Sequence, residues 1–120
     1  NININGNYLS NQVSLELLSN TDLIIFPYQS TNESSSAAVR HGLASGAPIA
    51  VTPLSIFDDV ANVVHFLPGF SPLEIAKGVI KWNNKNRWDH IPGKQKWMEA
   101  NRFSSLGLRL EGMIRSLAFN

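Results

Sequence analysis

Short, unbroken apolar runs recur along the chain with helix-forming segments between them, and this alternation restricts the fold more than any other feature. The runs cover residues 22–27, 48–52 and 63–67, and residues 2–4 are also predicted to form a short strand. Strands that are apolar throughout are typical of parallel sheets, because helices cover both faces of such a sheet. The sequence therefore predicts an α/β fold in which four strands form a parallel sheet with helices on both faces.

The segments between the runs carry helix start and stop signals. Ser10 or Asn11 can cap a first helix, which we expect to end near Asn20 with its apolar residues on one face. A helix of small residues is predicted over 34–44, followed by the turn residues Ser45 and Gly46.

Two further helices are predicted in the second half of the chain. Ser71 and Glu74 are spaced as in a capping box, and a proline occupies the first helical position between them. The helix that follows is expected to bury a stripe of Leu73, Ala76 and Ile80. A last helix is predicted over 94–117, weakened around 104–107.

Composition narrows the class of protein. The 120-residue chain has no cysteine, which excludes disulfides, zinc–thiolate sites and thiol catalysis, and its longest apolar runs are too short to span a bilayer. The net charge of +1 combines −4 over residues 1–80 with +5 over residues 81–120. A basic block of this kind fits either contact with phosphate or an anionic membrane, or a solvated helical face. We favour the solvated face, because tryptophans separate the basic residues.

The segment 33–48 holds the chemically informative residues. In an open parallel sheet, ligands bind beyond the carboxyl ends of the strands, and this segment follows the strand that ends at residue 27. A helix start rich in serine offers backbone N–H groups and hydroxyls to a phosphate or a sugar. Helical periodicity places Glu33, Arg40 and His41 on one side, with Val39 and Leu43 turned towards the core. If the helix began at Glu33, that residue and His41 would lie roughly 12 Å apart.

The same segment resembles the signature of retaining family-4 glycosyltransferases of the GT-B fold. That signature has a glutamate, seven residues, a second acidic residue, then small residues, glycine and proline before a strand. The flanking strands at 22–27 and 48–52 and the helix after Ser71 are similar to the family in the same order, so the resemblance spans nearly the whole chain. It implies a Rossmann-like, nucleotide-sugar-binding domain.

The resemblance assigns roles residue by residue. Glu33 matches the glutamate that contacts the transferred sugar near the reaction centre, and is therefore the expected catalytic residue. The expected donor-binding residues are Ser34, Ser35, Ser36, Arg40, His41 and Thr52. No metal and no cofactor are implied, since the nucleotide-sugar is itself a substrate.

Several of these assignments have structural alternatives that the sequence leaves open. Glu33 could simply cap its helix, His41 could be a structural histidine, and Arg40 could be a solvated helix arginine. His41 also departs from the family, because it stands where a glutamate usually holds the ribose hydroxyls. A histidine cannot grip a diol with two acceptors as a carboxylate does.

The resemblance also implies a domain organisation. Residues 1–93 correspond to part of a donor-binding domain, without its first two strands and phosphate loop, and residues 94–120 to a helical segment that packs on it. We expect this chain alone to be inactive and to expose a sheet edge through which it could pair with a second copy.

The implied activity is hexosyl transfer, with retention, to a saccharide or lipid-linked acceptor of polysaccharide or glycolipid assembly. The implied location is cytoplasmic, with peripheral contact at the inner membrane face and no nucleic-acid partner. Two alternatives remain from other classes: an inactive GT-B-like domain kept for protein contacts, and a receiver-type signalling domain. The second lacks the acidic cluster and the lysine that such domains carry.

Overall fold

The fold is an α/β unit built on a small, open, parallel sheet. The structure is a computed structural model that describes residues 1–33, 35–84 and 91–118. Its strands are β1 (Ile24–Phe26), β2 (Ile49–Val51) and β3 (His65–Phe66), hydrogen-bonded side by side in that order. Both pairings are parallel, with Ile25 opposite Ala50 and Val51 opposite Phe66.

Helices connect and follow these strands. Their bounds are α1 Asn11–Ser19, α2 Ala37–Ala44, α3 Pro72–Asn83, α4 Lys94–Ala100 and α5 Phe103–Ala118, with a 3₁₀ helix at Ser55–Val60. Gly46 adopts a φ of 84° after α2, a left-handed conformation that glycine adopts without strain. The end of α2 at Ser45 and Gly46 is therefore confirmed.

The two faces of the sheet carry separate apolar clusters. On one face, Val39 and Leu43 of α2 pack with Ile49 and Val51 of β2 and with the 3₁₀ helix residue Phe57. Helix α2 approaches strand β2 so closely that a Cβ on Gly42 would lie 3.0 Å from Cδ1 of Ile49. The alternation of side chains along a strand explains why Ala50 faces the other way.

The second face is covered by α3. Ala50 and Leu67 are buried there, with Leu23, Ile75, Val79 and Trp82 packed against them. The ring of the buried His65 lies 4.7 Å from the ring of Trp82, centroid to centroid. The prediction of a parallel sheet with helices on both faces is thus confirmed for β2.

Three details differ from the sequence-based predictions. Residues 2–4 are exposed and irregular, so the predicted strand there was wrong: these described residues pair with no neighbouring strand. β1 was expected to be buried on both faces, yet Ile25 is exposed and lines an open groove between β1 and α3. The final helix is broken at Asn101 and Arg102, ahead of residues 104–107.

The orientation of α3 is a further correction. The expected buried stripe points to solvent, with Leu73 and Ile80 62% and 58% exposed. The buried side of the helix instead carries Gly78, with Ile75 and Val79 half-buried beside it. The sequence favoured the wrong stripe because α3 has apolar residues on two neighbouring sides, and the glycine decides which side can approach the sheet.

Gly78→Ala should destabilise the fold by about 1–3 kcal/mol, as overpacking does. Its Cβ would lie 2.7 Å from Cδ of Pro68 and 2.8 Å from Cδ2 of Leu67. Urea denaturation followed by circular dichroism measures the effect. The matched control is Gly112→Ala in α5, where no atom lies within 4 Å and helix propensity should stabilise by up to about 1 kcal/mol. Equal effects in the two helices would contradict the close approach of α3.

The start of α3 should make stability depend on pH. Glu74 accepts hydrogen bonds from the Ser71 hydroxyl at 2.6 Å and the Ser71 backbone N–H at 3.0 Å, and these bonds hold the pKa of the Glu74 carboxyl below its ordinary value of 4.5. A lowered folded-state pKa stabilises the fold above about pH 4.5, and this contribution is lost as the pH falls through the folded-state value.

We therefore expect Glu74→Gln to reduce the free energy of unfolding more at about pH 7 than at about pH 3. Denaturant titrations at both pH values measure this. Glu16→Gln, which removes an exposed carboxylate from α1, is the control for the loss of one negative charge. If the stability lost in Glu74→Gln instead grew as the pH fell, the stabilising role of the ionised Glu74 carboxylate would be contradicted.

Candidate functional site

The loops that leave the three strands meet at the carboxyl edge of the sheet. The backbone N–H of Thr52, just after β2, donates to the carbonyl of Phe26 at 3.3 Å, and that of Leu67 donates to Val51 at 2.8 Å. The side-chain amide of Gln29 donates to the carbonyl of Phe70 at 3.2 Å, which joins the first loop to the third. This is the edge at which open parallel sheets bind ligands.

Helix α2 begins at this edge, three positions later than the predicted start at residue 34. Ser36 is its N-cap: its buried hydroxyl accepts a hydrogen bond from the backbone N–H of Val39 at 3.3 Å. The hydroxyl of Tyr28, which lies between the rings of Phe26 and Phe57, is 3.2 Å from the same oxygen. Ser36 is therefore occupied by the structure of the loop, and its hydroxyl faces inward.

Two other predicted donor-binding residues also have structural partners. Thr52 is fully buried, and its hydroxyl donates to the carbonyl of Tyr28 at 2.6 Å. Arg40 donates from Nη1 to the carbonyl of Ser36 at 3.2 Å and forms an ion pair through Nη2 with Asp59. Both side chains of the pair are partly exposed, so the pair ties α2 to the 3₁₀ helix with little net stabilisation.

Of the remaining predicted residues, Glu33 and Ser35 lie in the loop ahead of α2, and His41 lies in the last turn of that helix. Glu33 is exposed in the loop, where its backbone N–H donates to the Thr31 hydroxyl at 3.2 Å. Because α2 begins at Ala37, Glu33 is outside the helix, and the separation of roughly 12 Å expected from helical rise does not apply. Ser35 is exposed, His41 is half-buried in α2, and Ser34 lies outside the described residues.

Glu33 and Ser35 lie next to the start of α2, but they are exposed and no closed pocket surrounds them in the part of the chain that the structure describes. Val39 and Leu43 are buried, as predicted, which turns Ala37, Arg40 and Ala44 to solvent. Among the residues that the structure describes, there is no group of three histidine, aspartate or glutamate side chains that could hold a metal ion.

An apolar groove at the same edge was not predicted. It has a volume of about 670 Å³ and runs between β1 and α3, from Ile25 and Pro27 past Phe70 to Ala76 and Ile80. No predicted donor-binding residue lines it. The sequence signal for this groove was the stripe on α3 that we had assigned to the core.

A second concave surface lies where α4 meets the end of α2. Lys94 donates from Nζ to the carbonyls of Gly46 at 2.9 Å and Ala47 at 2.7 Å, and its partial burial lowers its pKa. Trp97 packs against the main apolar cluster. These two side chains attach α4 to the α/β unit.

Within the described ranges, no helix combines the length and the apolar character needed to cross a membrane. Comparisons with protein-family models, with curated proteins and with solved structures give no significant match to this chain. The assignment to a glycosyltransferase family therefore stays a prediction from the residues.

Thr52→Val should destabilise the protein by about 1–3 kcal/mol, because it leaves the Tyr28 carbonyl without a buried donor while keeping the shape of the side chain. The control is Thr21→Val, whose exposed hydroxyl donates to the carbonyl of Leu18, and whose loss should cost about 0.5 kcal/mol or less. Thermal and urea unfolding measure both. A Thr52→Val variant as stable as the wild type would show that the hydrogen bond from the Thr52 hydroxyl to the Tyr28 carbonyl does not stabilise the fold.

Proposed function

We propose that this chain is part of the donor-binding side of a Rossmann-like, GT-B-type glycosyltransferase that transfers a sugar, with retention, from a nucleotide-sugar to a saccharide or lipid-linked acceptor. The observation that carries the proposal is the position of Glu33. Its exposed carboxylate stands just ahead of α2, at the carboxyl edge of a parallel sheet. The resemblance to family-4 glycosyltransferases rests on that same segment.

The start of α2 supplies the chemistry that a diphosphate needs. Its first backbone N–H groups, at Ala37 and Ala38, have no carbonyl acceptor within the helix. They also lie at the positive end of the helix dipole, which favours an anion. In the transfer, the bond from the anomeric carbon to the diphosphate oxygen breaks, a bond to the acceptor oxygen forms, and the proton of the acceptor hydroxyl passes to the departing diphosphate. Charge then accumulates on the departing diphosphate, and donors fixed in advance stabilise it.

The side chains divide between positioning and binding. In this proposal Ser36 and Thr52 hold the loop, and Glu33, Ser35 and His41 face the donor. Arg40 would have to exchange its Asp59 partner for a phosphate, which its partial exposure permits. His41 can offer one hydrogen bond to the nucleotide, so a deoxyribose donor suits it better than a ribose donor. The proposal includes a cytoplasmic location and peripheral membrane contact, in keeping with the acceptor class.

A second candidate function, an inactive domain kept for protein contacts, is favoured by the apolar surface. Leu73 and Ile80 are exposed beside the groove between β1 and α3, and an exposed apolar patch of this kind is typical of interaction sites. The engagement of Arg40 and Thr52 by the protein itself also agrees with this alternative.

Isothermal titration calorimetry with UDP, GDP and dTDP separates the two candidates, since binding does not require turnover. We expect dTDP to bind most tightly and His41→Ala to weaken it about tenfold, the equivalent of one lost hydrogen bond. Glu33→Gln should leave dTDP binding unchanged and weaken a dTDP-sugar, because Glu33 is expected to face the sugar. Glu16→Gln, on α1, is the matched control for charge.

The contrary outcomes are equally specific. Absence of binding to all three nucleotides at millimolar concentration, with the fold intact by circular dichroism, would favour the protein-contact function. Tighter dTDP binding in Glu16→Gln, with no loss of affinity in His41→Ala, would show non-specific electrostatic binding.

A further inference from the structure

The exposed segment ahead of α1 contains an asparagine followed directly by a glycine. Asn5 and Gly6 form the one Asn–Gly pair in the 120 residues. Both residues are exposed and belong to no helix or strand, and no atom lies within 4 Å of the position that a Cβ on Gly6 would occupy. The peptide nitrogen of Gly6 therefore has no side chain of its own beside it, and the backbone around it is free to rotate.

A hydrogen bond folds the Asn5 side chain over this peptide. The backbone N–H of Asn7 donates to Oδ1 of Asn5 at 3.0 Å. The ring that this bond closes contains both Cγ of Asn5 and the backbone nitrogen of Gly6. Groups held close together in this way react faster than free ones. The Asn7 N–H also points at the oxygen on which negative charge would develop if Cγ were attacked, and a donor in that position lowers the barrier.

The reaction that this arrangement favours is closure of a cyclic imide. The Gly6 nitrogen gives its proton to a solvent base and bonds to Cγ of Asn5. The bond from Cγ to the side-chain nitrogen breaks, and that nitrogen takes up a proton and leaves as ammonia. The imide then has two carbonyl carbons, Cγ and the main-chain carbon of Asn5, at which water can add.

The two ways of opening the imide give different products. Addition of water at Cγ breaks the new bond to nitrogen and leaves an aspartate. Addition at the main-chain carbon breaks the original peptide bond and leaves an isoaspartate, in which the chain continues through Cγ. In both cases the net reaction consumes one water and releases one ammonia, with no change of oxidation state. The product is a carboxylic acid, which is ionised at neutral pH.

The other asparagines lack this combination of features. None of them is followed by glycine. Asn3 precedes Ile4, whose branched side chain crowds the peptide nitrogen. The side-chain amides of Asn20 and Asn101 each donate to a carbonyl four residues earlier, at 2.9 Å and 2.8 Å, which holds them at the ends of α1 and α4. The reaction should therefore be selective for Asn5.

We propose that Asn5 is a modification site, at which the Gly6 backbone and water convert the side-chain amide to a carboxylate with assistance from the Asn7 N–H. The change adds a negative charge to residues 1–80, which already carry a net charge of −4. The isoaspartate product also lengthens the main chain by one carbon. Because residues 1–8 are exposed, neither product should alter the packed core. The proposal is independent of nucleotide binding.

Ageing of the purified chain in mildly alkaline buffer, followed by mass spectrometry, tests the site. The wild type should gain about 1 Da, the difference between an amide and a carboxylic acid, and release ammonia in equal amount. Electron-based fragmentation should place the change at residue 5 and resolve aspartate from isoaspartate. Circular dichroism and urea denaturation should give the same result for fresh and fully aged protein.

Variants of the segment separate the contributions to the rate. Gly6→Ala should slow the conversion at least about tenfold, because its Cβ crowds the nitrogen and restricts the backbone. Asn7→Pro, which removes the N–H that Oδ1 accepts, should slow it about fivefold to tenfold, as the loss of one exposed hydrogen bond does. Asn7→Ala keeps that N–H and is the matched control. Asn3→Gln removes a neighbouring exposed asparagine and should leave the rate unchanged.

Three results would overturn the modification site. One is a wild type that keeps its mass throughout the ageing. Another is a mass gain located mainly at an asparagine other than Asn5. The third is an equal rate in Gly6→Ala and the wild type, which would assign the reaction to direct attack by water on the side chain. Equal rates in Asn7→Pro and Asn7→Ala would overturn the assistance by the Asn7 N–H.

Discussion

Burial of strand β2 on both faces is the constraint on which the rest of the structure depends. Ile49 and Val51 face α2 while Ala50 faces α3, and all three side chains are fully removed from solvent. A central parallel strand needs a helix on each face of the sheet. The connections between the strands therefore pass over one face or the other. The close approaches of the two helices follow from the same requirement. Gly42 lets α2 come near Phe26 and Ile49 of the sheet, and Gly78 lets α3 come near Leu67 and Pro68, just after β3.

The packing of β2 also orders the loops at the carboxyl edge of the sheet. Once β1 and β2 are aligned, Thr52 reaches the carbonyl of Tyr28, and the Tyr28 hydroxyl reaches the N-cap Ser36. Hydrogen bonds of buried hydroxyls thus fix the start of α2. The start of α2 is left facing solvent and is suited to a ligand that carries negative charge. The exposed residue Glu33 precedes it in the loop.

Apolar surface is distributed unequally between the centre and the periphery. β2 is covered twice, whereas β1 exposes Ile25 to a groove and α5 exposes apolar side chains along its whole length. The two uncovered surfaces differ in shape: one is a concave strip beside a strand, the other a narrow helical ridge.

The sequence by itself determined the elements whose signals are local. Residues 24–26 and 49–51 are apolar without interruption and form strands, Ser71 and Glu74 form a capping box, and Gly46 ends α2. It also placed Val39 and Leu43 in the core. Each of these outcomes depends on a few neighbouring residues, since hydrogen-bond spacing and backbone conformation are local properties.

Other features were decided by the tertiary structure. The apolar spacing at residues 2–4 gave no strand because no partner strand lies beside it, and α3 turned Leu73 outward because only the side with Gly78 fits against Pro68 and Leu67. Thr52 and Arg40 looked available for a ligand until packing gave them partners within the protein. Strand pairing, the facing of a helix with two apolar sides and the partner of a polar group all depend on residues distant in sequence. Only the folded chain brings those residues into contact.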